Sequence, residues 1–383
     1  MIRPTVATVS LEAIQYNLRA ISALLTRESN QNPGTCPGVI AVIKANAYGH
    51  GAAEVAHALE TAGASMLACA DIEEGVGLRR AGITLPLLVF GALSISDLAG
   101  VFEYDLTPTI SSPAAAAALE HAAGARGVRL RCHLKIDTGM NRLGFRFDNL
   151  DRTLPAVLAS RHLQLDAVYT HFATADLPDS PFLEEQRVRF DRAVLRVKAV
   201  GALGALELGD LPRHAANSAA LLRDSRTWYE WVRPGLLLYG IVPPPLAASH
   251  LELRPALSLT SRIVAVKGLR PGEGTGYGLR WTPDEPRTIA IVPAGYADGL
   301  DTRLANRGAA LVRGRRVPIV GSVCMDMITI DVTGLDVSPG DEVAIIGRQG
   351  EQEITARETA AAIGAIPWEV VCRLGSRIER RYA

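Results

Sequence analysis

Lysine is scarce in this chain of 383 residues. Of 40 basic side chains only four are lysine, at positions 44, 135, 198 and 267. Any chemistry that needs an amine has those four candidates. Net charge is lacking too, with 40 acidic groups against 40 basic ones. That argues against a nucleic-acid partner, because such binders carry a cationic excess. The five cysteines (36, 69, 132, 324 and 372) are odd in number, scattered and free of any Cys-x-x-Cys pair. A disulfide framework and a zinc knuckle are both excluded. No apolar run reaches the ~20 residues a membrane helix needs, so no membrane partner is expected. The opening Met1-Ile2-Arg3-Pro4-Thr5-Val6 has neither the basic nor the apolar region of a signal peptide. A cytoplasmic protein is expected.

What is present is a soluble composition, 48% apolar and 21% charged, enough for sizeable cores. Its length suggests two domains, since single cores seldom grow past ~250–300 residues. The first part alternates short β-branched runs with helical patterns. Candidate strands are Val39-Lys44, Ser65-Ala70, Leu85-Phe90, Leu106-Ile110, Val128-Ile136, Leu163-His171, a weak Arg213-Ala216 and Trp231-Leu238. Helices are expected over Leu11-Leu25 (capped by Ser10), Glu54-Ala62, Ile72-Ala81, Ile95-Tyr104, Pro113-Ala122, Asn149-Ala159, Phe182-Val200 and Ala219-Thr227. Strands without polar alternation are buried on both faces, as in a parallel sheet. Eight β/α units in about 200 residues fit an α/β fold of the (β/α)8 barrel type. The grammar changes at Pro243-Pro244-Pro245. We expect a barrel domain over residues 1–243 and a mostly β domain over 244–383. The second has strands near Ala256-Lys267, Arg287-Pro293, Ala309-Val312, Ser322-Val332 and Glu342-Ile346, and Thr355-Ile363 as its only helix.

In such barrels the working residues sit just past the C-terminal ends of strands. Here those are Lys44, Asp137 with Arg142, His171, Asn217 with Ser218, and Arg233 with Gly235. A lysine ending a buried strand is costly unless paired or lowered in pKa. The neutral amine so favoured is a nucleophile for an aldehyde; the plain alternative is a lysine reaching out to solvent. Lys135 could simply pair with Asp137, on the same strand face. Lys198 and Lys267 read as solvated. His171 could be a base or a packed ring; a metal role is not expected, for want of a second ligand at suitable spacing. Asn217-Ser218 could cap a helix or meet a phosphate. In Gly272-Glu273-Gly274-Thr275-Gly276-Tyr277-Gly278, a tyrosine amid four glycines could be presented to a pocket or merely top a hairpin.

Ala41-Val42-Ile43-Lys44-Ala45-Asn46-Ala47-Tyr48-Gly49-His50-Gly51 resembles the pyridoxal-phosphate attachment signature of the bacterial alanine racemases. The likeness continues in order through Lys135-Ile136-Asp137-Thr138-Gly139-Met140-Asn141-Arg142, Thr170-His171-Phe172-Ala173, Asn217-Ser218, Arg233-Pro234-Gly235, Gly276-Tyr277-Gly278, Gly295-Tyr296-Ala297-Asp298-Gly299 and Cys324-Met325-Asp326. It implies a homodimer with shared sites and pyridoxal 5'-phosphate (PLP) as cofactor. By the same resemblance Lys44 would carry PLP and act as base on one face of the substrate Cα. Tyr277 of the other subunit would serve the opposite face. Tyr48, Ser218, Gly235 and Leu236 would hold the phosphate with support from Asn217. Arg233 would face the pyridine nitrogen, backed by His171. Arg142 and the backbone of the other subunit's Met325 would orient the alanine carboxylate, and Lys135 would be carbamylated as in some members.

One departure stands near the C-terminus. Some members have a tyrosine where this chain has Ser376, touching phosphate and narrowing the entrance. Two other readings are weighed. A PLP-dependent basic amino-acid decarboxylase on a similar barrel should set a carboxylate, not Arg233, against the pyridine nitrogen. Arginine can only donate, which leaves a weaker electron sink and suppresses decarboxylation. A non-catalytic PLP carrier would need Lys44 but neither Tyr277 nor a second domain.

Overall fold

The structure is a computed structural model that describes residues 4–31, 36–93, 97–203 and 210–383. Among these residues, eight parallel strands close into a barrel. They are Gly38–Val42, Met66–Cys69, Leu87–Val89, Leu106–Ile110, Leu130–Asp137, Leu163–Tyr169, Arg213–Asn217 and Trp231–Arg233. Closure is by Trp231↔Gly38 and Val232↔Val39 at one seam, while Thr109↔His133 and Ile110↔Leu134 continue the ring opposite. The strand interiors are almost wholly buried, as their unbroken Val, Ile and Leu content requires. Even the weak seventh strand forms, held by Val168↔Arg213 and Tyr169↔His214.

Several elements differ from expectation. The eighth strand stops at Arg233 because Pro234 has no N–H to continue the ladder, and the chain turns into a 3-10 segment, Leu236–Tyr239. The start of the expected Ile95-Tyr104 helix lies outside the described residues; Ala99–Glu103 is helical. The expected Ser322-Val332 strand shrinks to Ile328–Asp331. Residues before it instead receive Tyr296 N–H on Cys324 O (2.9 Å) and Ala297 N–H on Met325 O (3.0 Å), which bends them into a loop. A second C-terminal helix, Pro367–Cys372, was not foreseen. It is short, with proline in its first turn, where the missing N–H costs nothing.

The second, mainly antiparallel sheet holds ten strands among the described residues. Val6–Val9 belongs to it, lying between Leu257–Arg262 (antiparallel) and Glu379–Tyr382 (parallel). Helix Pro367–Cys372 brings this domain to the barrel mouth. A side chain on Gly49 would meet Val371 O at 2.1 Å, and Arg380 Nε donates to Gly49 O at 2.7 Å.

The segment after the first barrel strand has an unusual path. Ala45, Asn46, Ala47 and Tyr48 all have φ near 53°, a left-handed turn built from four non-glycine residues. Each such residue costs ~1–2 kcal/mol, so about 4–8 kcal/mol must be offset by anchors. Glu74 supplies one, accepting Ala45 N–H at 2.6 Å, and is itself held by Ala70 N–H at 2.8 Å. Asn46 Oδ1 accepts Ala52 N–H at 2.8 Å, and buried His50 Nδ1 sits 3.0 Å from both Ala47 O and Tyr48 O.

Candidate active site

The left-handed turn has a direct consequence: Lys44 and Tyr48 line the same cavity at the barrel mouth, a space of about 370 Å³. Lys135 and Arg142 join them from the fifth barrel strand and the loop beyond it. His171 follows the sixth strand, Asn217 and Ser218 the seventh, and Arg233, Gly235 and Leu236 the eighth. The second domain closes one side with Trp368.

Two of the expected residues are elsewhere. Tyr277 is 78% exposed and Met325 52% exposed, and neither lines the cavity of its own chain. Both belong to the second domain, and Ser322, three residues before Met325, donates its Oγ to Tyr277 O at 2.6 Å. Leu279 and Met327 are exposed as well. Ser376 is exposed and not in the cavity wall.

The electrostatics of the cavity are cationic. Burial, and after it the charge of Arg142, lowers the Lys44 pKa from its ordinary value. Lys135 is lowered to about 8 by burial and by the charges of Arg142 and Arg233. Its ammonium stands 5.5 Å from the centre of the Tyr169 ring. No ion pair with Asp137 is found among the described residues. That carboxylate turns instead to Gly139 N–H (2.9 Å) and Asn141 N–H (3.1 Å), capping the loop where the strand ends. The remaining lysines are remote: Lys198 pairs with Asp210 at 2.8 Å, and Lys267 is exposed.

The other lining groups include hydroxyls and backbone N–H donors. Ser218 Oγ accepts Gly235 N–H (2.9 Å) and Leu237 N–H (3.4 Å), which leaves its own proton free to donate. Leu236 opens a 3-10 segment, whose first N–H groups have no acceptor within it. A side chain at Gly235 would meet Tyr48 Oη at 2.4 Å, so only glycine leaves the hydroxyl in place. Asn217 Oδ1 is engaged in capping, accepting Ala219 and Ala220 N–H at 3.1 and 2.9 Å.

Arg233 is 3% exposed and held from behind. Its Nη2 donates to Thr170 O (2.7 Å) and Ala215 O (2.9 Å) and lies 3.3 Å from His171 Nδ1. Its Nη1 donates to His214 Nδ1 at 2.7 Å. Burial lowers Arg233 to about 10, so it remains charged at neutral pH. Burial and the Arg233 charge keep His171 and His214 well below their ordinary values, hence neutral. His214 was missed by sequence reasoning. The signal was there, three residues before the Asn217-Ser218 pair.

The family model for the alanine racemase N-terminal domain matches residues 9–243, and that for the C-terminal domain matches residues 256–382. The alanine racemase of Symbiobacterium thermophilum is 40% identical over 381 residues, covering 99% of this chain and 97% of that one. That of Carboxydothermus hydrogenoformans is 40% identical over 384 residues, covering 99% and 100%. Among solved structures, the enzyme from D-cycloserine-producing Streptomyces lavendulae superposes with a TM-score of 0.91 at 32% identity, covering 100% and 98%. The Bacillus anthracis alanine racemase with bound L-Ala-P gives 0.87 at 32% identity, covering 100% and 96%.

Proposed function

The chain belongs to the alanine racemase family, and from that membership we propose that it is a PLP-dependent isomerase interconverting L-alanine and D-alanine. The observation that carries this reading is one cavity lined both by an amine of lowered pKa, Lys44, and by a cradle of hydroxyl and N–H donors. The residues fit the cofactor. Lys44 would hold it covalently, with Tyr48, Ser218 and the Leu236 N–H on its phosphate, in the room that Gly235 leaves and beside Asn217. Arg233 would donate to its ring nitrogen, next to His171. Bound PLP supplies an electron-withdrawing ring that acidifies the substrate Cα–H.

The protein's own part is proton placement. Lys44 Nζ exchanges a proton with Cα on one face, and the Tyr277 hydroxyl does so on the other, because inversion requires a donor opposite the acceptor. Arg142 and the Met325 backbone orient the carboxylate. Tyr277 and Met325 act from a second copy of the chain in this reading, a homodimer with shared sites. Their exposure supports it, as an apolar surface that includes Leu279 and Met327 is normally covered. The enzyme would work in the cytoplasm, supplying D-alanine for peptidoglycan or drawing on alanine in catabolism. The decarboxylase alternative finds no support, since an arginine and no carboxylate faces the cavity at position 233.

The test is direct. Incubation with L-alanine should yield D-alanine without carbon dioxide, and borohydride reduction of the PLP-bound protein should fix the label on Lys44. A label on Lys135, Lys198 or Lys267, or carbon dioxide release, overturns the reading.

A further inference from the structure

Behind Arg233, away from the cavity, lies a chain of buried histidines that the mechanism above does not use. His214 Nε2 is 3.0 Å from His133 Nδ1, and the two residues are 0% and 1% exposed. His214 is stacked on Tyr169, centroids 4.6 Å apart and planes 10° from parallel; His133 is stacked on Trp231 at 6.2 Å and 9°. Both rings are thus clamped. Arginine has no acceptor, so the 2.7 Å contact from Arg233 Nη1 obliges His214 Nδ1 to be the lone-pair atom. A neutral His214 must then carry its proton on Nε2 and donate it to His133 Nδ1. His133 in turn must carry its own proton on Nε2. One proton arrangement satisfies both contacts, and every hydrogen bond in it runs from Arg233 outward along the chain.

We infer that His214 and His133 are positioning residues that aim Arg233 at whatever acceptor occupies the cavity while leaving its charge unneutralised. The inference rests on the PLP reading above and deepens it. Four groups hold the guanidinium: Thr170 O, Ala215 O, His171 Nδ1 and the His214 lone pair. None is a carboxylate. A carboxylate in place of His214 would fix Arg233 equally well but cancel the charge that faces the ligand. The imidazole pair fixes the geometry without that cancellation. His133 polarises His214 and makes its Nδ1 a better acceptor, as linked hydrogen bonds strengthen one another.

The experiment is equilibrium binding of PLP to protein stripped of cofactor, read by the absorbance of the bound group, with thermal midpoints recorded alongside. Wild type must first take up PLP; if it does not, the functional reading fails and this one with it. His214→Leu should weaken PLP binding roughly ten-fold, the loss of one hydrogen bond to a charged group. His214→Asn, whose amide oxygen offers an acceptor in the place of Nδ1, should recover to within about three-fold of wild type. His133 does not line the cavity, and His133→Leu should weaken binding by about two- to three-fold. The double variant should be no worse than His214→Leu alone, because His133 acts only through His214. Equal impairment by Asn and Leu at 214, additive losses in the double variant, or PLP affinity unchanged in His214→Leu each overturns the relay while leaving the functional reading intact. Should Leu at 214 prevent folding, His133→Leu decides: unchanged PLP affinity overturns the proposal.

Discussion

Lys135 stands where the cationic groups Arg142, Arg233 and Lys44 converge, and its burial together with their charges lowers its pKa to about 8. At pH 7.5 about a quarter of such amines are neutral, against on the order of a thousandth for an ordinary lysine. Carbon dioxide adds only to the neutral form, losing a proton and leaving a carbamate anion that relieves the like-charge contact with Arg142. With isotope-labelled bicarbonate, a carbonyl signal on Lys135 should grow between pH 6 and 8.5 and vanish in Lys135→Arg. No signal at pH 8.5 would count against carbamylation. The sign of the stability effect follows from the same depression. The unfolded chain binds the proton more tightly, so the cost of burying Lys135 is fully present below about pH 8 and fades as pH climbs towards 10.5. At this scale part was legible: lysine scarcity and strand-end position made Lys44 a candidate, and only the resemblance chose it over a lysine reaching out to solvent. His214 was not, since nothing in a linear pattern says that its Nδ1 meets an arginine 19 positions later.

Barrel strands could be read because burial on both faces leaves unbroken Val, Ile and Leu runs. The left-handed turn could not: Ala45, Asn46, Ala47 and Tyr48 have no glycine to mark a positive φ. Tertiary anchors impose it against local preference, and it is the element that turns Tyr48 back towards Lys44. This makes Ala45 a place where stability is lost for geometry. Ala45 is exposed, and its substitution by glycine keeps the N–H that Glu74 accepts. Ala45→Gly should relieve ~1–2 kcal/mol of strain and lose ~0.4–1 to unfolded-state entropy. We expect calorimetry to show a midpoint raised by roughly 1–3 °C. A lowered midpoint would show that the turn is not strained.

For the whole molecule, alternation revealed two domains but not that Val6–Val9 joins the second sheet, because a strand pattern does not name its partner. Nor does it show that Tyr277 avoids its own cavity. If the site is shared, mixing inactive Lys44→Ala with inactive Tyr277→Phe should restore activity. Each mixed dimer has one doubly damaged site and one intact site. With random exchange of equal amounts, roughly half the dimers are mixed and about a quarter of all sites work. Exchange shown by fluorescence transfer, without recovered activity, would mean that Tyr277 acts within its own chain.

The placement of Val6–Val9 also dictates an order of events on the ribosome. Its antiparallel partner Ser258 is made some 250 residues after Thr8, and its parallel partner Arg381 later still. All eight barrel strands are synthesised in that interval, so the barrel can close while this strand waits unpaired. A waiting strand is an open template for a neighbouring nascent chain on the same message. Slow decoding after Arg233 lengthens that wait, which makes codon choice between 234 and 382 a determinant of how much chain reaches the folded state.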